Sequence, residues 1–406
     1  MDRKGNEGFV VEDGLGVLRE IPLPRTGPHS IGRLVSNRCY VYPDAQVEDV
    51  ADALREREDI LALAVVDDEG RVLGIVVRQV FFGMMVRAYA REVYKKRAIT
   101  EVITAAVTMR NDLNTFSVAD SLESDLAGDE IAYYVLTHRD GTFSGIFSSL
   151  DLLIYLSRLT QEDIALARRL QARIVRERSL VVGKRFEFVA TSQIAQGVGG
   201  DFYDVREYAP GRWVFAFCDV AGKGVAASII TSVLWGMMNV YDFNDGLADF
   251  IVRLNSQIAR TFESERYVTG VFLEYDEAEN RVRVCDLGHS HIYICRRGAL
   301  RKASNLQTNL PVGVSPELTP RFSRFSPAQG DTLLLVTDGL LEQQNEAGSV
   351  FPFSVVAEVF AREGDRPVEA VAERINRDFH RFRGAQHLGD DVTVVLLRFV
   401  EQEVTL

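Results

Sequence analysis

The chain has 406 residues, 47% of them hydrophobic and 26% charged, the balance of a soluble globular protein with room for two or three domains. A formal net charge of −12 speaks against nucleic-acid and membrane partners, whose nonspecific binding needs a basic face. Four cysteines, Cys39, Cys218, Cys285 and Cys295, form no CxxC pair, so neither a zinc site nor a disulfide framework is expected.

Residues 1–30 carry acids, Gly and Pro where a signal peptide needs an apolar run, which predicts a flexible lead-in. No later stretch offers about 18 uninterrupted apolar residues. A cytoplasmic protein is expected.

An internal repeat follows at an offset of 71 residues: Val47 meets Val118, Asp49 meets Asp120, Gly70 meets Gly141, Gly74 meets Gly145 and Ile75 meets Ile146. Each copy reads as an amphipathic helix, a strand, a Gly-containing turn and a second strand ending in Gly-Ile. The pair, over residues 31–159, resembles tandem CBS domains, a family that often binds adenine nucleotides and regulates an attached domain. By that resemblance Ser148 and Asp151 of GIFSSLD are the candidate nucleotide contacts. The first copy has Val77 and Val80 there, so one pocket at most is expected. The same Ser-x-x-Asp is also a helix N-cap signature.

Residues 160–183 place Ile164, Ala167, Leu170, Gln171, Ile174 and Val175 on one helical face, which predicts a linker helix. From residue 184 to 406 the pattern changes to β-branched and aromatic strands with two long helices after the first strands and two more near the end. That order is not a regular βαβ alternation, so a layered α+β sandwich fits better than a Rossmann sheet.

Four segments here set aspartate beside glycine at a strand end: GGDFYD (199–204), CDVAGKG (218–224), TDG (337–339) and GDDVT (389–393). Converging aspartates without His or Cys suit Mg²⁺ or Mn²⁺, since hard cations take oxygen ligands. Two such ions can activate water and clamp a phosphoryl oxygen, which points to phosphate-ester hydrolysis. GKG lacks the full phosphate-loop frame, and His289 and His291 read as structural hydrogen-bonding residues.

In series, VGGDFYD, CDVAGKGVAAS, LGHSHIYICRRG, LPVGV, LLLVTDGLLEQQN and GDDVTVVLLR resemble the SpoIIE/RsbU-type branch of the PPM metal-dependent serine/threonine protein phosphatases. The resemblance implies a four-layer α-β-β-α sandwich with two Mn²⁺ or Mg²⁺ ions at one edge, hydrolysing phosphoserine or phosphothreonine without a phosphoenzyme. It makes Asp219 the acid that bridges both metals and the Val220 carbonyl a neighbouring ligand. Asp338 and Asp390 complete one metal, with Asp390 preferred over Asp391; Asp201 serves the other metal, directly or through water, and Asp204 supports the ligands or is structural. The catalytic set is thus Asp219, Asp338 and Asp390. The histidine and arginine that serve eukaryotic relatives are missing, and Lys223 is either a phosphate-attracting residue or a loop lysine.

The expected substrate is a phosphorylated regulator, such as a STAS-type anti-anti-sigma factor, acted on by a homodimer regulated through the CBS pair. The alternatives are a catalytically weak phosphatase-like binding protein and a small-molecule phosphohydrolase.

Overall fold

The computed structural model describes residues 16–24, 26–87, 90–128, 130–262 and 266–401. Residues 1–15 of the expected flexible lead-in lie outside the described residues. Farther along that segment Leu18 and Ile21 are buried, and Arg19–Glu20 between them pairs with Cys39–Tyr40 as a short strand, so this part is not a loose tail. The chain divides into two units, residues 1–161 and 162–406.

The first unit contains the repeat, and its two copies share one topology. Strand Cys39–Val41 runs parallel to Ala62–Val66, which pairs antiparallel with Val72–Val77; Val107–Arg110, Tyr133–Thr137 and Phe143–Ser148 do the same. The register breaks at Val65/Val66 in one hairpin and at Leu136/Thr137 in the other, which are equivalent positions of the 71-residue repeat. The extra residues of these bulges, Leu73 and Ser144, are equivalent too. Both hairpins turn at a glycine with positive φ, Gly70 at 83° and Gly141 at 86°. The copies meet through an antiparallel bridge between Arg71 and Thr142, again repeat mates. Tyr40, Ala64 and Ile75 of one copy share a core with Val135, Phe143 and Ile146 of the other.

A single helix, Ser149–Gln171, leaves the second hairpin and runs past residue 161. The helix expected over 160–183 therefore ends early, and Arg178–Val182 is a strand instead. Alternating exposure along that strand, with Ser179 and Val181 half-buried, shows why its β-branched run prevails over the helical spacing.

The second unit is α+β. Among the described residues it has a five-stranded sheet (Phe202–Ala209, Arg212–Val220, Val268–Asp276, Arg281–Leu287, Ser323–Phe325). A six-stranded sheet runs in the order Ala299–Lys302, Ile292–Arg296, Thr332–Val336, Val392–Phe399, Phe186–Gln193, Arg178–Val182. Period-two burial lets each sheet use both faces. Phe215 and Tyr275 of the first meet Phe186 and Phe399 of the second, with ring centroids 5.3 and 5.1 Å apart for Phe186–Phe215 and Tyr275–Phe399. Such ring pairs add about 0.5–1.5 kcal/mol each beyond the area they bury.

On the outer face of the five-stranded sheet, helices Val225–Val240 and Leu247–Thr261 pack Ile230, Leu234, Phe250 and Leu254; Phe250 reaches Phe272 at 5.6 Å. On the outer face of the six-stranded sheet, Ser354–Glu363 and Val368–Arg383 pack Val356, Phe360, Val371 and Ile375 against Leu334, Val394 and Leu396. The layers therefore run helix, sheet, sheet, helix. Among the described residues no helix is long and apolar enough to cross a membrane.

Candidate metal centre

The sheet pairings bring the acid-bearing segments to one edge of the sandwich. Strand Arg212–Val220 delivers Asp219 near its end, and its pairing of Cys218 with Phe202 sets Asp201, one residue earlier, beside it. In the facing sheet, Val336 pairs with Val394, so Asp338, just after one strand, lies near Asp390 and Asp391, just before the other. Asp338 opens the short helix Asp338–Glu342, which follows Thr337.

Glycine makes this convergence sterically feasible. A Cβ on Gly199 would collide with the Asp391 carboxylate, and one on Gly339 with the Asp391 carbonyl. A Cβ on Gly200 would stand 3.0 Å from the Val220 carbonyl oxygen. Gly200 and Gly339 lie directly under other backbone, and Gly199 under the Asp391 carboxylate, so none of the three has room for a side chain.

The aspartates are not equivalent. Asp391 Oδ1 accepts the Ala195 N–H at 2.8 Å and Oδ2 the Gly200 N–H at 2.7 Å, so both oxygens hold the 195–200 loop. Asp390 instead accepts the Asp391 N–H on Oδ1 and the Lys223 ammonium on Oδ2, at 2.8 and 2.9 Å. Asp201 is buried, and its Oδ2 accepts the hydroxyls of Thr393 at 2.6 Å and Thr337 at 3.1 Å. Burial, then the charges of Asp219 and Asp391, push the Asp201 carboxyl well above the usual carboxylate range. Asp219 is pushed up to about 7 by burial first and then by Asp338, Asp390 and Asp391. Asp338 is raised as well, by burial and by Asp390. Lys223 works the other way: its bond to Asp390 raises its own pKa, and its charge eases Asp219.

Carboxylates that depress one another's ionisation are a site with surplus negative charge, which a divalent cation relieves. The donor set is all oxygen, so its chemistry fits Mg²⁺ or Mn²⁺. Among the described residues no three acid, His or Cys side chains already stand at metal-ligand spacing. Asp219, Asp338 and Asp390, three of the acids expected from the sequence, interact as one cluster at this edge, and Asp201 adjoins Asp219.

The other residues singled out in the sequence fall elsewhere. Asp204 pairs with Arg206. His289 is buried, with Nε2 2.9 Å from the Val336 carbonyl, and burial drives its pKa down to about 4, so it is neutral there. In the first unit, Asp151 Oδ2 accepts the Ser148 N–H (2.8 Å), the Ser148 hydroxyl (2.7 Å) and the Ser36 hydroxyl (2.8 Å), while Ser148 Oγ accepts the Asp151 N–H at 3.1 Å. That is a helix-capping exchange at the start of Ser149–Gln171. The same two residues line a cavity of about 150 Å³ with Ser36, Asn37, Asp59 and Tyr133.

The sequence places Gln171 only on a helical face and Gln343 only within a strand-end motif, and the role of neither is legible. Gln171, at the end of its helix and 4% exposed, donates to the Gly199 carbonyl at 2.6 Å and accepts the Gly199 N–H at 2.9 Å. Gln343 accepts the Gly389 N–H and donates to the carbonyls of Gln344 and His387. Buried amides with both ends engaged leave no periodic trace in a sequence; GGD and GDD themselves were the available signal.

The second unit is therefore an α+β sandwich whose strand ends gather aspartates over glycine at one edge. Residues 209–400 match the model of the Stage II sporulation protein E (SpoIIE) family, and residues 31–79 match the CBS domain. The C-terminal part of the chain is thus similar to the SpoIIE family over those residues, and the N-terminal part to the CBS domain. It is 23% identical over 244 residues to phosphoserine phosphatase RsbP of Bacillus subtilis (strain 168), covering 59% of this chain and 58% of RsbP. Similar solved structures include the SiaA-PP2C domain of Pseudomonas aeruginosa (17% identity, TM-score 0.49, 60% of this chain and 98% of that one). The phosphatase domain of SpoIIE from Bacillus subtilis with a fragment of its regulatory domain is another (21% identity, TM-score 0.44, 54% and 65%).

Proposed function

We propose that the protein is a cytoplasmic, metal-dependent serine/threonine phosphatase that hydrolyses phosphoserine or phosphothreonine on a regulatory protein, a STAS-type anti-anti-sigma factor by resemblance. The observation that carries this reading is the convergence at one edge of the sandwich of Asp201, Asp219, Asp338 and Asp390 from four separate segments, packed over glycine. Phosphoserine phosphatase activity in the relative RsbP supports the choice of substrate class. When bound, two Mg²⁺ or Mn²⁺ ions supply a nucleophile at neutral pH and neutralise phosphoryl oxygens. The chain contributes the rest. Asp219, Asp338, Asp390 and the Val220 carbonyl would hold the ions, with Asp201 serving one of them directly or through water; Asp391 fixes the 195–200 loop, and Lys223 offers its ammonium to the incoming phosphate from the edge of a cavity of about 270 Å³.

The CBS pair is the regulatory part of the proposal. The helix capped by Ser148 and Asp151, beside the 150 Å³ cavity, is the same helix whose far end carries Gln171 onto Gly199. An adenine nucleotide in that cavity would act on the cap, and the helix would carry the effect to the GGD loop. By analogy with tandem CBS proteins the working form is a homodimer.

The test is phosphate release from a phosphoserine protein in Mn²⁺, with and without ATP, ADP and AMP. Asp219→Asn is expected to reduce turnover at least about a hundredfold, since it removes a carboxylate that would hold the ions. Release unaffected by this change, or confined to nucleotides and sugar phosphates, would overturn the reading.

A further inference from the structure

The turn that presents Asp390 is held by two side chains, and each comes from a segment bearing another acid of the cluster. Lys223, four residues after Asp219, donates to the Gly389 carbonyl at 2.6 Å. Gln343, five residues after Asp338, accepts the Gly389 N–H at 3.1 Å on Oε1. Its Nε2 donates to the carbonyls of Gln344 at 2.7 Å and His387 at 3.1 Å. The residue is 3% exposed. Lys223 is more than half exposed and can swing away, so the buried amide is the fixed member of the pair.

We propose that Gln343 is the positioning residue for Asp390: through Gly389 it sets the separation of Asp390 from Asp338 and so the cation affinity of the edge. The proposal rests on the divalent-cation reading above. The chemistry is specific to glutamine. Asparagine is a methylene too short to span from the 338–342 helix to the 387–389 turn, and a carboxylate has no hydrogens for the His387 and Gln344 carbonyls. Partners that orient a metal-binding group typically govern affinity by about 10–100-fold when removed.

The experiment is calorimetric titration of MnCl₂ into the full-length protein, wild type, Gln343→Met, Asp390→Asn and the double variant, with thermal melting of each in EDTA. Gln343→Met is expected to weaken Mn²⁺ binding about tenfold. It should add nothing to Asp390→Asn, because it acts only through that carboxylate. Gln343→Ala, which leaves more space, should behave alike. Mn²⁺ affinity within twofold of wild type, or a Gln343 effect that adds in full to that of Asp390→Asn, would overturn the proposal. So would failure of both Gln343 variants to fold while Asp390→Asn folds, since Gln343 would then be a folding residue. A wild type that binds no Mn²⁺ would instead remove the cation reading beneath it.

Discussion

Thr393 Oγ1 lies 2.6 Å from Asp201 Oδ2, joining the strand that follows the GDD turn to the loop that precedes the first strand of the opposite sheet. Thr393 is fully buried, and its hydroxyl also meets Ser192 Oγ at 2.9 Å. Replacing it with valine keeps the shape and removes the donor, leaving Asp201 with Thr337 as its remaining hydroxyl partner here. Thr393→Val is expected to cost about 1–3 kcal/mol of stability, read as a lower urea midpoint with an unchanged slope.

Asp219 gives the metal-free protein an unusual pH dependence. Its carboxyl is pushed up to about 7 in the folded chain, far above the ordinary aspartate value, so between the two the folded state holds an extra proton. Stability from this group is present at low pH and is lost as pH rises toward 7 and beyond. His289, with its folded pKa lowered to about 4, acts oppositely: its contribution is present above about 6.5 and is lost as pH falls. The comparison that isolates Asp219 is wild type against Asp219→Asn in EDTA. Between pH 5 and 8 the melting temperature of wild type should drop relative to the variant by at least about 2–4 °C, the equivalent of roughly 1 kcal/mol for a unit of this size. Added Mn²⁺ should stabilise wild type more at pH 8 than at pH 5, because ligation requires the deprotonated acid.

Gln171 tests the transmission half of the proposed function. Gln171→Leu strips Gly199 of both its side-chain hydrogen bonds and leaves Thr231 without the amide 3.2 Å away. A stability loss of about 1–3 kcal/mol is expected. If the helix governs the GGD loop, the variant should also change Mn²⁺-dependent phosphate release and blunt any response to adenine nucleotides. A destabilised variant with unaltered turnover and an intact nucleotide response would confine Gln171 to packing.

Much of this was readable in the chain itself. The repeat offset could be seen from glycines and aspartates alone, and it holds down to the bulged residues Leu73 and Ser144. The acid-bearing segments were visible because strand ends beside glycine have a local signature. What could not be read was the division of labour within Asp390–Asp391, since adjacent residues on an extended backbone face opposite ways and the choice depends on which loop arrives from 195–200. Gln171 and Gln343 were hidden for a related reason: their partners are main-chain atoms 28 and 46 residues away, in segments whose sequence says nothing about who will bind them. The linker helix was extended too far because Ile174 and Val175 continue the helical spacing, while the strand at 178–182 is decided by pairing with Phe186–Gln193.

The paired irregularities of the first unit make its two hairpins spare parts for one another. Leu73 is exposed and Ser144 is enclosed, bonded to Asn111, yet each occupies the same step out of register. Ancestry would explain the shared count of residues, and local surroundings the divergent chemistry. Transplanting the stretch 133–148 into the place of 62–77 would preserve strand alignment throughout, whereas deleting one residue from either would turn every following side chain toward the wrong side.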